Sequence, residues 1–187
     1  LYPLNASSQA ALYAHAILNL REFKINEALH DVNTLIEQNP DNPFFWELKG
    51  QIYFESGQVH NARIAYQKAY NLLPNASAFQ LNLAQAMLED SPSPKEINTI
   101  ISLLNKSLIK SKNAYAWLML AQAYGMQDNM AYANYASAEF SLFLGEIDTA
   151  EKQVREAQKQ NPPATLEKKL NDIDQRIKQL QKKRASF

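Results

Sequence analysis

The chain has 187 residues, 46% of them hydrophobic, enough for one large domain or one array of repeats with a real core. Nineteen Lys and Arg balance nineteen Asp and Glu, so there is none of the basic surplus with which a nucleic-acid binder displaces counterions from phosphate. No cysteine is present, which excludes disulfides and thiol chemistry, and no apolar run reaches the ~18 residues of a membrane span.

Only four glycines occur, and Ala, Leu, Gln, Asn and Lys dominate, so helices are expected throughout and no sheet. The first two predicted hairpins cover 9–42 and 43–76. Small residues stand at Ala16, Gly50 and Ala84, alanines at Ala28 and Ala62, and prolines at Pro40 and Pro74, every step being of the same length. Gly50 and Ala62 suit the close crossing of two helices, and Tyr53 and Tyr66 fill the space beside it. Gly57 ends the first helix of its hairpin, where a left-handed residue is cheap for glycine, and Pro74 stops the second. Trp46, Gly50, Tyr53, Gly57, Ala62, Tyr66, Ala69 and Pro74 together resemble the signature of the tetratricopeptide repeat, whose period of ~34 residues is built from two helices.

The third repeat starts at Ser77 and carries "EDSPSPKE" (89–96), read as an insertion that lengthens the inter-helix turn by about four residues. Its second helix, around 95–110, has Ile100 and Ser107 in place of small alanines. A new first helix begins near Asn113, with Trp117, Ala121 and Tyr124 on signature positions. From Ala121 to Ala138 is only half the usual step, so the helix at 130–144 is expected to follow another first-type helix, with a second-type helix dropped. Gly145, Ala150, Ala157 and Pro162 close a last repeat. From Thr165 to about Arg184, Leu166, Leu170, Ile173, Ile177 and Leu180 draw a narrow apolar stripe on one more helix. A solenoid needs such an end piece, apolar on one side and wet on the other. The basic end "QKKRASF" is read as its solvated terminus, with an acidic partner or a membrane surface as the alternative. The expected fold is all-α, a tetratricopeptide-repeat right-handed superhelix (α-solenoid) of about ten helices. Its array covers 1–164 with about four and a half repeats, and the C-terminal capping helix and basic tail cover 165–187.

Catalytic signals are missing. His15, His30 and His60 are far apart in sequence, and there is no HExxH, Gly-rich phosphate loop or GxSxG elbow. The "NAS" triplets at Asn5 and Asn75 are read as chance sequons. No catalytic, cofactor or metal residue is therefore assigned, and the chain by itself is not expected to be an enzyme.

Function is expected on the concave face, which the first helices line. The inward, non-core positions are Tyr13, Ile17 and Leu20; Phe44, Glu47, Gln51 and Phe54; Leu81, Gln85 and Leu88; Tyr115, Leu118 and Gln122; Tyr132, Tyr135 and Glu139. The candidate partner-binding set is Tyr13, Ile17, Glu47, Gln51, Phe54, Leu81, Gln85, Leu118, Gln122, Tyr135 and Glu139. Gln51, Gln85 and Gln122 share one slot and could form a ladder of amides that bonds the backbone of an extended peptide or a partner helix, flanked by apolar side chains. The competing readings are packing between repeats and occupation by another domain of the same protein. Where related repeats clamp a terminal carboxylate with lysines, this chain has Tyr, Ile, Glu, Gln and Leu, which argues against such a clamp.

The order of features is more specific than the repeat alone. "LYPLNASSQAALYAHAI" (1–17), "NPFFWELKGQIYFESG" (42–57), the Pro-bearing segment, "AYAWLMLAQAYG" (114–125) and "ASAEFSLFLGEIDTAEKQVREAQKQ" (136–160) resemble the C-terminal region of bacterial periplasmic zinc metalloproteases of the beta-barrel-assembly-enhancing type (BepA/YfgC-like). The resemblance covers nearly all of 1–164. It implies a zinc-binding peptidase domain elsewhere in a longer protein, of which a chain opening on Leu1 is expected to be a piece. It also implies a periplasmic location and a role in recruiting substrates or outer-membrane assembly partners. No zinc or catalytic residue carries over, since the motif is not in this chain. The alternative is a free-standing tetratricopeptide scaffold or adaptor without a protease domain, in the cytoplasm. Either reading has a protein or peptide in the groove, the protein's own peptidase domain being one candidate. Neither has nucleic acid or a membrane span, and a self-capping terminal helix favours a monomer.

Overall fold

The computed structural model describes residues 8–184. Among them the backbone forms ten α-helices and no strand, so the expected all-α class holds. They are α1 (Gln9–Arg21), α2 (Ile25–Gln38), α3 (Pro43–Glu55), α4 (Val59–Leu72), α5 (Ser77–Glu89), α6 (Pro94–Lys110), α7 (Ala114–Gly125), α8 (Met130–Phe143), α9 (Ile147–Lys159) and α10 (Ala164–Arg184). The chain divides into two compact modules, Leu1–Ser91 with α1–α5 and Pro92–Phe187 with α6–α10.

In the N-terminal module α1 packs on α2 and α3 on α4, and α2–α3 and α4–α5 contacts join the hairpins. The regular step of the sequence reappears as burial. Ala16, Gly50 and Ala84 are buried on the first helices, and Ala28 and Ala62 on the second. Side-chain sizes are matched across each hairpin. In the first, Ala16 shares a core cluster with Val32. In the second, one repeat further on, Gly50 faces the buried ring of Tyr66, and a Cβ added to Gly50 would lie 2.4 Å from Tyr66 Cδ1. Interiors pack as densely as organic crystals, so a larger ring on one helix requires the smaller residue on the other.

The turns repeat as faithfully. Phe23 (φ 58°), Gly57 (φ 77°) and Ser91 (φ 50°) are left-handed and follow one another at the same repeat step. Lys24 N donates to Asn19 O and Gln58 N to Tyr53 O, both at 2.8 Å, the six-to-one bond of a Schellman C-cap. Glycine occupies only one of the three positions, yet all three are left-handed; after Ser91 the next residue is Pro92, which has no N–H, so the six-to-one bond closes only the first two turns.

The expected lengthening of the turn is nearly absent. Four residues (90–93) join α5 to α6 against three (56–58) between α3 and α4, so the turn grows by one residue and not by four. The prolines of "SPSP" start the next helix instead. Pro94 is at its first turn, and Ser93 and Glu96 form a capping box in which Ser93 N donates to Glu96 Oε2 at 2.8 Å. The extra length lies in α6 itself, 17 residues against 14 in α4. Aligned on their C-terminal ends, Leu72 and Lys110, the two helices bury matching positions, with Ala62, Ala65, Tyr66 and Ala69 answered by Ile100, Leu103, Leu104 and Ser107, so Ile100 and Ser107 do stand where α4 has alanines. Ser107 is buried, and its Oγ donates to Leu104 O at 2.9 Å.

In the C-terminal module α6 packs on α7, α7 on α8, α8 on α9, and α10 on both α9 and α8. Helix α8 explains the halved spacing. Ala136 and Ala138 are both fully buried though two residues apart, on opposite sides of one helix. Helix α8 thus closes the pairing begun by α7 and opens the hairpin with α9. In that hairpin Ala138 and Val154 share one cluster, repeating the Ala16–Val32 match. Gly145 (φ 79°) makes the turn. Ala121, expected at a close crossing, is only half-buried. Ala116 and Ala123 are the fully buried small residues of α7. On α10, Leu166, Leu170, Ile173 and Ile177 are fully buried in the cluster with Ala138 and Val154, while Leu180 is 37% exposed and leaves the stripe. Each such aliphatic side chain contributes roughly 1.5–3 kcal/mol on burial, so α10 is an integral layer of the module.

Candidate peptide-binding faces

None of the eleven candidate residues is buried. Leu20 and Leu88, which were also counted among the inward positions, belong to the core.

In the N-terminal module the face is built from α1, α3 and α5. Tyr13 and Phe45 rings lie 6.0 Å apart, and Phe44 meets Phe79 edge-on at 5.6 Å. Glu47 on α3 is half-buried and accepts a hydrogen bond from Asn82 Nδ2 at 3.0 Å. Burial pushes the Glu47 carboxyl above the usual carboxylate range, and the Asn82 bond opposes that shift. Burial, and then the Glu47 charge, raise the Tyr13 phenol as well. One slot along, Gln51 Nε2 donates to Glu55 Oε1 at 2.8 Å, and Gln85 Nε2 to Glu89 Oε1 at 3.3 Å. The amides are thus held by carboxylates one turn later on their own helices, and the ladder is one of Gln–Glu pairs. Phe54 backs onto Tyr66 at 6.5 Å. Two recesses open along α1 and α3. Tyr13, Phe44 and Phe45 line an apolar one of about 430 Å³, and Ile17, Arg21, Gln51 and Glu55 a polar one of about 400 Å³. Half-exposed Leu81 and Gln85 continue the face on α5.

In the C-terminal module Leu118 and Gln122 are exposed on α7. Tyr135 and Glu139 on α8 are engaged by α10. Arg176 Nη1 donates to both Glu139 carboxylate oxygens at 2.9 Å, and Lys169 Nζ stands 5.4 Å from the centre of the Tyr135 ring. Trp117 meets Tyr135 edge-on at 5.8 Å. Burial first, then the Glu139 charge, push the Tyr135 phenol up to about 12, against the opposing effect of Arg176. The candidate residues of this module therefore split into an open pair on α7 and a covered pair on α8.

The histidines at the hairpins have structural partners. His15 Nδ1 lies 2.8 Å from Asp31 Oδ2, to which Asn19 also donates, and His60 shares Asp90 with Arg63. Among the described residues no group of three His, Cys, Asp or Glu side chains could hold a metal ion, and no helix is long and apolar enough to cross a membrane.

Helical hairpins at a regular step, capped by left-handed turns and presenting half-exposed first helices, define a tetratricopeptide-repeat module, a class of protein-interaction domain. The chain belongs to the family described as the cytochrome c-type biogenesis protein H TPR domain, whose model matches residues 31–154. It is 28% identical over 178 residues to the beta-barrel assembly-enhancing protease of Escherichia coli K12, a match covering 94% of this chain and 35% of that protein. The chain thus spans about a third of the length of the curated relatives it matches. In fold it is similar to the segment of MamA of Desulfovibrio magneticus RS-1 that runs from residue 41 to the end (TM-score 0.68, 16% identity, 95% of this chain and 97% of that segment). It is also similar to YrrB, described as a TPR protein with an unusual peptide-binding site (TM-score 0.59, 13% identity, 87% and 91%).

Proposed function

We propose that this chain is the non-catalytic interaction domain of a longer periplasmic zinc metalloprotease of the beta-barrel-assembly-enhancing type, and that it brings substrates or outer-membrane assembly partners to the protease. The 28% identity with that protease along nearly the whole chain supports the reading. The observation that carries the interaction role is the face of α1, α3 and α5, which holds aromatic pairs, the half-buried Glu47 bonded to Asn82, and Gln–Glu pairs recurring at one slot. Such a face offers amides for a peptide backbone and apolar walls for its side chains. The zinc belongs to a peptidase domain outside this chain.

Replacing Gln51 and Gln85 together by Arg tests the role. In the full-length protein this double variant is expected to lose partners that co-purify with the parent, while the Lys68→Glu control on α4 keeps them. Equal recovery in both would overturn the assignment of this face. A free-standing adaptor is the second reading. Its support is that the matched family is defined by the repeat domain alone, with no protease domain. A partner bound by a protein without any HExxH segment would decide for it.

A further inference from the structure

A recess of about 460 Å³ opens in the C-terminal module beside the break in the repeat step. That size falls within the range of small-ligand sites, roughly 300–1,000 Å³. The apolar part of its lining is Leu108 from α6, Trp117 from α7, and Leu142 and Phe143 from α8. Phe143 is 53% exposed at the rim. Three charged groups share the recess, Lys112 in the α6–α7 turn, Arg176 on α10 and Glu139 on α8. Arg176 and Glu139 neutralise each other through their two hydrogen bonds. Lys112 is exposed and has no ion pair among the described residues, so the recess carries one uncompensated positive charge. A Trp and a Phe beside an unanswered ammonium select a ligand that has an apolar body and an anionic group together.

We infer that this recess anchors an acidic peptide segment of a partner protein, with one Asp or Glu carboxylate against Lys112 and an adjacent aromatic or aliphatic side chain over Trp117. The inference rests on the interaction reading above and adds the chemistry of the partner. Four elements of the same module enclose the recess, so its shape is set by packing within that module. Lys112 is solvated, so its share of the affinity is modest. An exposed ion pair changes binding by about two- to fivefold, whereas an apolar side chain lost from the recess changes it by about tenfold or more.

The chain has two tryptophans, so Trp46→Phe leaves Trp117 as the only reporter at the recess. The full chain would be titrated with an end-capped pentapeptide in which two aspartates flank a phenylalanine. Its counterparts have asparagines for the aspartates, or serine for the phenylalanine. The expected result is a saturable change in Trp117 emission. Binding should weaken about two- to fivefold for the asparagine peptide and about tenfold for the serine peptide. Lys112→Met should weaken the aspartate peptide alone, and added salt should erase the difference. Calorimetry on the unaltered chain should give the same ordering. No saturable binding, equal affinity of the aspartate and asparagine peptides, or indifference to Lys112→Met would overturn the inference. If these peptides fail while partners still cross-link at Gln51 and Gln85, only the recess is refuted. If both fail, the interaction reading falls with it.

Discussion

The pairing of Gly50 with Tyr66 gives the sharpest prediction. A Cβ on Gly50 would lie 2.4, 2.5 and 2.9 Å from Tyr66 Cδ1, Cε1 and Cγ. Ordinary carbon contacts are about 3.5–4.0 Å, so the ring must move by about 1 Å. The ring is buried, with Phe54 6.5 Å away, and its Cγ, which rotation of the ring does not move, would itself be 2.9 Å from the added Cβ. Overpacking of this kind costs about 1–3 kcal/mol, while Ala in place of Gly gains up to ~1 kcal/mol of helix propensity. Gly50→Ala should therefore destabilise the N-terminal module by about 1–2 kcal/mol. The first hairpin holds Ala16 with Val32 in the equivalent slots, and the α8–α9 hairpin holds Ala138 with Val154. In a Tyr66→Val background the sign should reverse, with Gly50→Ala stabilising by up to ~1 kcal/mol, a coupling of about 2–3 kcal/mol. Urea titrations in a Trp117→Phe background, followed by Trp46 on α3, report this module selectively. A neutral or stabilising Gly50→Ala beside the native tyrosine, or the same effect in both backgrounds, would refute the argument.

Phe23 is left-handed and 82% exposed, so Phe23→Gly should relieve backbone strain at no cost in packing and raise the urea midpoint by an amount equivalent to roughly 0.5–1 kcal/mol. A lower midpoint would mean that the ring has a packing role. Glu47 titrates above the ordinary carboxylate range when folded, so the folded state holds its proton longer than the unfolded chain. Stability contributed at this site is thus full at low pH and declines as pH rises from the ordinary carboxylate range through the raised value. Glu47→Gln keeps an acceptor for Asn82, and the wild type should lose stability relative to it over that window. A constant difference across pH would contradict the burial argument. Ile173→Ala on α10 should cost about 2–5 kcal/mol in thermal unfolding of the C-terminal module. A loss below ~1 kcal/mol would show α10 to be a detachable cover.

The repeat was legible because its small residues and prolines recur at fixed offsets. Each stands where helices cross or stop, so residue type follows directly from geometry. The turns were legible only where glycine marks them. Phe23 and Ser91 adopt the same left-handed conformation as Gly57, and residue type does not reveal it. "SPSP" was misread because proline both interrupts chains and begins helices. The cue that separates the two, Ser93 followed three residues later by Glu96, was present in the sequence. Ala121 and Ala138 were placed by spacing alone, and spacing could not show that α8 packs on both sides. On the candidate faces, the common slot of Gln51 and Gln85 was readable, and so was a carboxylate four residues on from each. The Arg176–Glu139 bond joins two helices far apart in sequence, and Lys112 matters only through the recess around it. Neither follows from any local pattern.

The central claim is that partners lie against the first helices. Photo-crosslinking in the full-length protein tests it most directly, with a probe at Gln51, Gln85 or Gln122 and a control at Lys68 on α4. The account predicts adducts to outer-membrane proteins or their assembly factors from the first-helix positions and none from Lys68. Adducts of equal yield from Lys68, or adducts only to another domain of the same protein, would contradict it.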